Sequence, residues 1–104
     1  MSINSIAVSG NVANDPQLMG KESNALRFAI AVNEYAGDGE ERANFFDCVV
    51  FGKRAKSLYK IIDKGMQLSI AGSLRSSSYE KDGEKRYSVE IVCDEIALPP
   101  RNKD

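Results

Sequence analysis

The chain has 104 residues, one domain's worth, with 42% hydrophobic and 28% charged residues and a formal net charge of −1. No apolar run approaches the roughly 20 residues of a membrane helix. The opening Met1-Ser2-Ile3-Asn4-Ser5 lacks the basic-then-apolar pattern of a signal peptide, so the cytoplasm is the expected compartment.

Ile3, Ile6, Val8 and Val12 mark a first extended segment that ends near Gly10-Asn11, and Asn14-Asp15-Pro16 reads as a turn. Leu26, Phe28, Ile30 and Val32 alternate with other residues, which predicts a second strand with one apolar face. Ala36 to Glu41, with two glycines, is expected to form a flexible polar loop. Phe45 to Phe51, rich in aromatic and β-branched residues, is the third strand. The period then changes. Ala55, Leu58, Tyr59 and Ile62 fall at helical spacing, Gly65 can supply the left-handed stop, and Lys60 and Lys64 are placed in the last turn. Met66 to Ala71 alternates again and runs through Gly72 to Tyr79. Asp82-Gly83 signals a hairpin, and Tyr87 to Val92 returns toward Ile96 and Leu98 before Pro99-Pro100 ends the ladder. Five strands with one helix between the third and fourth is the order of an all-β OB-fold, a five-stranded Greek-key barrel. The expected domain is 1–100, followed by a short polar, disordered end over 101–104.

The residues argue against catalysis. The chain has no histidine, no glycine-rich phosphate loop and no carboxylate pair flanked by apolar residues, so no enzyme and no catalytic residue are expected. Asp47, the one carboxylate inside an otherwise apolar strand, is expected to face outward or to be hydrogen-bonded. Cys48 and Cys93 lie in apolar runs and read as buried core thiols. Neither a metal site nor a cofactor is expected.

Charge is distributed unevenly. Residues 1–50 carry 3 basic and 7 acidic groups, whereas residues 51–86 carry 9 basic and 4 acidic groups. A solvated helix face plus a charged hairpin tip would account for this as well as a ligand would. The basic residues, however, are interleaved with aromatics: Phe51 precedes Lys53, Tyr79 precedes Lys81, Arg86 precedes Tyr87, and Tyr35 stands at the mouth of the first loop. Flat aromatics beside cations are what a sequence-tolerant single-strand binder needs, rings for the bases and charges for the phosphates. Phe28, Phe46 and Tyr59 are expected in the core. Phe45 and Phe46 should point to opposite faces, one buried and one available, and Tyr87 is open to either role.

Asn44-Phe45-Phe46-Asp47-Cys48-Val49-Val50-Phe51-Gly52-Lys53 resembles the central strand of bacterial single-stranded DNA-binding proteins. Ile6 to Asn11 with Asp15-Pro16, Phe28 to Asn33, Leu58-Tyr59-Lys60 through Lys64-Gly65, Gly72 to Arg75 with Ser78-Tyr79, and Gly83, Arg86-Tyr87 and Val89-Glu90 match further segments in the same order. The resemblance implies a homotetramer, with a dimer as the lesser form, that wraps single-stranded DNA in replication, recombination or repair. Its stacking positions fall on Tyr35, Phe45, Phe51 and Tyr79, and its basic positions on Lys53, Arg75 and Arg86. Lys56 and Lys81 are added from charge alone. Two departures stand out: tryptophan is absent, with Tyr and Phe in its place, and the chain reads as a short form without the family's long acidic-tipped tail. Replication and repair partners are therefore an open expectation. The alternative function is an OB-fold accessory protein that docks a replication or primosome partner.

Overall fold

The structure is a computed structural model that describes residues 1–99; the polar end over 101–104 and Pro100 lie outside the described residues. Its strands are β1 (Ile6–Val12), β2 (Gln17–Met19), β3 (Ala25–Ala36), β4 (Glu40–Phe51), β5 (Gln67–Lys81) and β6 (Glu84–Ala97), with the helix α1 (Arg54–Tyr59) between β4 and β5. The sheet runs β1-β5-β6-β4-β3-β2, and a β1–β3 pairing at Asn11↔Ala31 and Val12↔Ile30 closes it into a five-stranded barrel. This is the expected OB-fold, with β2 added as a short flap on β3.

Burial follows side-chain alternation. Leu26, Phe28 and Ile30 point inward from β3 to meet Cys48 and Val50 of β4, Leu68 and Ile70 of β5, and Ile91 and Cys93 of β6. Both cysteines are free and buried, as expected. Burying a Leu26- or Ile30-sized side chain contributes about 2–3 kcal/mol each.

Two glycines are fixed by close backbone approach. A Cβ on Gly72 would lie 1.9 Å from the Val92 carbonyl oxygen, and one on Gly10 would lie 2.2 Å from that of Ala31. Gly72 sits where the β5–β6 register shifts, at a bulge that bends the hairpin as it leaves the barrel. The Asn4 side chain extends β1 backward: its amide donates to the Leu74 carbonyl and accepts from the Leu74 N–H.

The helix is shorter than its spacing predicts. It ends at Tyr59, which is 45% exposed, not in the core; Ile62 fills the core from beyond the helix end. Lys60 caps the helix, Lys64 lies outside it, and Gly65 (φ +92°) serves the turn into β5, where its N–H donates to the Val12 carbonyl. A six-residue helix has little stability of its own, so tertiary contacts at Ala55 and Ile62 decide its length. The loop expected over 36–41 contracts to a tight turn at Gly37-Asp38-Gly39, because β3 and β4 stay paired out to Ala36↔Glu40.

Candidate nucleic-acid interface

The β3–β4 register decides which aromatics share a face. Tyr35 pairs with Glu41, Ala31 with Phe45, Ala29 with Asp47, Arg27 with Val49 and Ala25 with Phe51. Paired residues point the same way, so Tyr35, Phe45 and Phe51 stand on the outer face, opposite Leu26, Phe28 and Ile30. Asp47 pairs with Glu90 on β6, and Glu90 with Arg75 on β5, which carries the same face across the sheet. Beyond the bulge the β5–β6 register is unbroken from Gly72 to Lys81, so Tyr79 and Lys81 join this face, with Arg86 opposite Tyr79. The four predicted stacking residues are thereby brought to one side, at exposures of 42–78%.

Glu90 is the electrostatic centre of this face. It is 8% exposed and accepts hydrogen bonds from Arg27 Nη1 at 2.5 Å, from Arg75 Nε at 2.9 Å and from Arg75 Nη2. Burial would raise the pKa of this carboxyl, but the hydrogen bonds and charges of Arg75 and Arg27 outweigh burial and hold it below the usual glutamate value. The Arg75 guanidinium lies 4.9 Å from the Phe51 ring centroid. One face of Phe51 is thus backed by a cation that Glu90 orients. Sequence reasoning placed Arg75 among the phosphate contacts; here much of its hydrogen-bonding capacity is spent on Glu90. It missed Arg27 and Glu90, although Arg27 shares the odd-numbered parity of Tyr35 along β3, a signal the sequence does carry.

The remaining cations divide by location. Lys53 and Lys56 line one groove with Glu22, Ser23, Asn24 and Gly52, a space of about 490 Å³ just past Phe51. The Gly52 N–H donates to the Asn24 carbonyl at 2.9 Å and holds that loop against the end of β4. Arg54 is structural: it donates to the Asp94 and Cys93 carbonyls and ties α1 to β6. Arg86 lies 3.5 Å from Glu84, an exposed pair worth little.

Two aromatics depart from expectation. Phe46 points to the core side, in register with the fully buried Ile30, yet is itself 37% exposed. Tyr87, paired with Ser78, is on the side of the hairpin opposite Tyr79; it is 71% exposed, with Lys85 Nζ 5.8 Å from its ring centroid. Leu74 and Val89, also exposed, share that side with Tyr87 by register. The neighbouring Cys93 thiol and burial both push the Cys48 thiol up, which keeps it protonated. Among the described residues no cluster of three or more metal-ligating side chains occurs, and no helix is long and apolar enough to cross a membrane.

Comparison with known proteins agrees with this architecture. The chain is 38% identical over 103 residues to a single-stranded DNA-binding protein of Borreliella burgdorferi, covering 92% of this chain and 69% of the relative. It is 34% identical over 96 residues to one from Clostridium perfringens, covering 88% of this chain and 63% of the relative. The chain thus spans about two thirds of the length of these relatives. Among solved structures, a small single-stranded DNA-binding protein from Streptomyces coelicolor superposes with a TM-score of 0.75 at 23% identity, covering 95% of this chain and 96% of the other. A Plasmodium falciparum SSB in complex with ssDNA gives a TM-score of 0.83 at 19% identity, covering 96% and 97%. At these identities the two structures speak for the fold. The model of the single-strand binding protein family matches residues 3–99, and with relatives at this level of identity the chain belongs to that family.

Proposed function

We propose that this protein binds single-stranded DNA with little regard to sequence and protects it during replication, recombination or repair, without catalysis. The observation that carries the reading is the common face of Tyr35, Phe45, Phe51 and Tyr79, set by register across β3, β4 and β5. Bases stack on these rings, each contributing about 1–3 kcal/mol. Lys53 and Lys56 take phosphates past Phe51, and Lys81 and Arg86 take them along the hairpin. Arg75 backs Phe51 and, together with Arg27, leaves a net positive charge after Glu90 is counted. Family membership and the names of the relatives support the same ligand.

The functional unit is a homotetramer acting at the nucleoid in the cytoplasm, with the binding domain spanning 1–100. Support comes from β1, whose edge from Ile6 to Gly10 has, among the described residues, no partner strand on the side away from β5, and such an edge invites pairing with a second copy. The exposed apolar residues Phe46, Leu74 and Val89 lie outside the aromatic row, where further copies would cover them.

The test is a titration with oligo-dT, following the fluorescence of the four tyrosines at two salt concentrations. Strong quenching at tight saturation, weakened by salt with a slope of about −0.7 per neutralised phosphate, is the expected result. Absence of binding at low salt would overturn the reading. Recovery of a replication partner by a protein that fails to bind DNA would put the docking function in its place.

A further inference from the structure

One carboxylate on the aromatic face has no role in the account above. Asp47 stands between Phe45 and Phe51 on the outer side of β4, in register with Ala29 on one side and Glu90 on the other. Both nearby arginines close on Glu90. Asp47 is exposed and, among the described residues, forms no ion pair. It lines a groove of about 210 Å³ together with Asn14, Gln17 and Arg27. Asn14 Oδ1 accepts the Ala29 N–H at 2.8 Å, which leaves its Nδ2 free to donate.

A carboxylate is a poor neighbour for phosphate, and it accepts hydrogen bonds only. On a surface that takes up a polyanion, the groups that suit it are the N–H donors of base edges. Residues two apart on a strand are about 7 Å apart, so a base stacked on Phe45 brings its edge within reach of Asp47. We propose that Asp47, with Asn14 and Gln17, forms a nucleobase-edge subsite that favours bases carrying an exocyclic amino group, and cytosine over thymine in particular. Cytosine presents its N4 amino donor where thymine presents the O4 acceptor, and O4 would face the carboxylate with like polarity. This rests on the single-strand reading and adds a base preference to it. The preferences of such proteins ordinarily follow stacking strength; two pyrimidines differ little in ring size, so comparing them isolates the edge.

The experiment titrates the full chain, as wild type, Asp47→Asn and Asp47→Ala, with dC and dT oligonucleotides of equal length at pH 8. The wild type binds dC about fivefold tighter than dT, the order of one exposed hydrogen bond to a charged group. Asp47→Ala removes that ratio, mainly by strengthening dT binding, and Asp47→Asn falls between. Equal affinities in the wild type, or a ratio that survives Asp47→Ala, overturns the subsite while leaving the single-strand reading intact. A uniform gain on both oligonucleotides with the ratio unchanged does the same, and means that Asp47 merely repels phosphate. Failure to bind either oligonucleotide overturns both.

Discussion

Each long strand has two halves that differ in what covers them. In β3, residues from Leu26 to Ile30 alternate between buried and half-buried, whereas Asn33 to Tyr35 are exposed or nearly so. In β5, Leu68 and Ile70 are buried, yet from Ser73 to Lys81 no residue is. The hydrogen-bonded ladder does not notice the change: Tyr35 still pairs with Glu41 and Tyr79 with Arg86. Backbone pairing therefore carries the hairpins beyond the barrel, but their side chains find few packing partners in this chain. Tyr35 and Tyr79 belong to these projecting halves, and Phe45, in register with Ala31, stands where the barrel ends and the projection begins. Phe51 belongs to the barrel wall and is held there by Arg75.

This contrast predicts that stability and binding separate along the same strands. The largest effect is expected in the barrel half: Leu26→Ala, at a side chain with no exposed surface, should cost about 3–5 kcal/mol in urea denaturation. Gly72→Ala, which drives a methyl into the Val92 carbonyl, should cost about 3 kcal/mol. Tyr35→Ala and Tyr79→Ala should stay within about 0.5 kcal/mol of wild type in the same assay. Comparable losses there would erase the distinction between the halves.

Binding should not follow this order: Tyr35→Ala and Tyr79→Ala should each weaken it by about 1–3 kcal/mol while leaving stability unchanged. Phe51→Ala is expected to weaken single-strand binding by about 1–3 kcal/mol, read by equilibrium titration. Full affinity in a folded variant would remove Phe51 from the site. Glu90→Gln tests the link between wall and ligand. It should cost about 1–2 kcal/mol of stability at pH 7, less than a fully buried pair because both arginines are nearly half-exposed. The folded-state pKa of Glu90 is lowered, so its contribution is complete above the ordinary glutamate pKa and is lost as pH falls through the folded value. Acid titration of stability in wild type and Glu90→Gln should therefore converge once the pH has fallen through that lowered value. Curves that stay parallel would mean that the two arginines are not held by charge. The smallest effect is at the periphery, where Lys56→Ala should reduce affinity two- to threefold at low salt and flatten the salt slope by about 0.7.

How much of the site the sequence revealed depended on distance along the chain. Phe45 to Phe51 is a single strand, and alternation within it separates Phe51 from Val50 without any knowledge of neighbours. The Asp82-Gly83 turn was legible for the same reason: both residues adopt positive φ, at 54° and 78°, as the dipeptide requires. The fate of Arg75 was not legible. Its partner Glu90 is 15 residues away on β6 and its ring, Phe51, is 24 residues away on β4, so nothing local distinguishes it from a free phosphate ligand. Phe46 was misjudged because alternation gives the side a residue faces and not how completely that side is covered.

The sequence by itself determined the chain order of the five barrel strands, the apolar face of β3 and the hairpin turn, since each depends on short-range periodicity or on the conformational preference of one or two residues. The tertiary structure alone decided the barrel closure at Asn11↔Ala31, the truncation of α1 and the exposure of Tyr59 and Phe46. It also decided the row that joins Ala29, Asp47, Glu90 and Arg75 across four strands. These depend on register between distant segments, and a shift of one residue would turn every side chain to the other face.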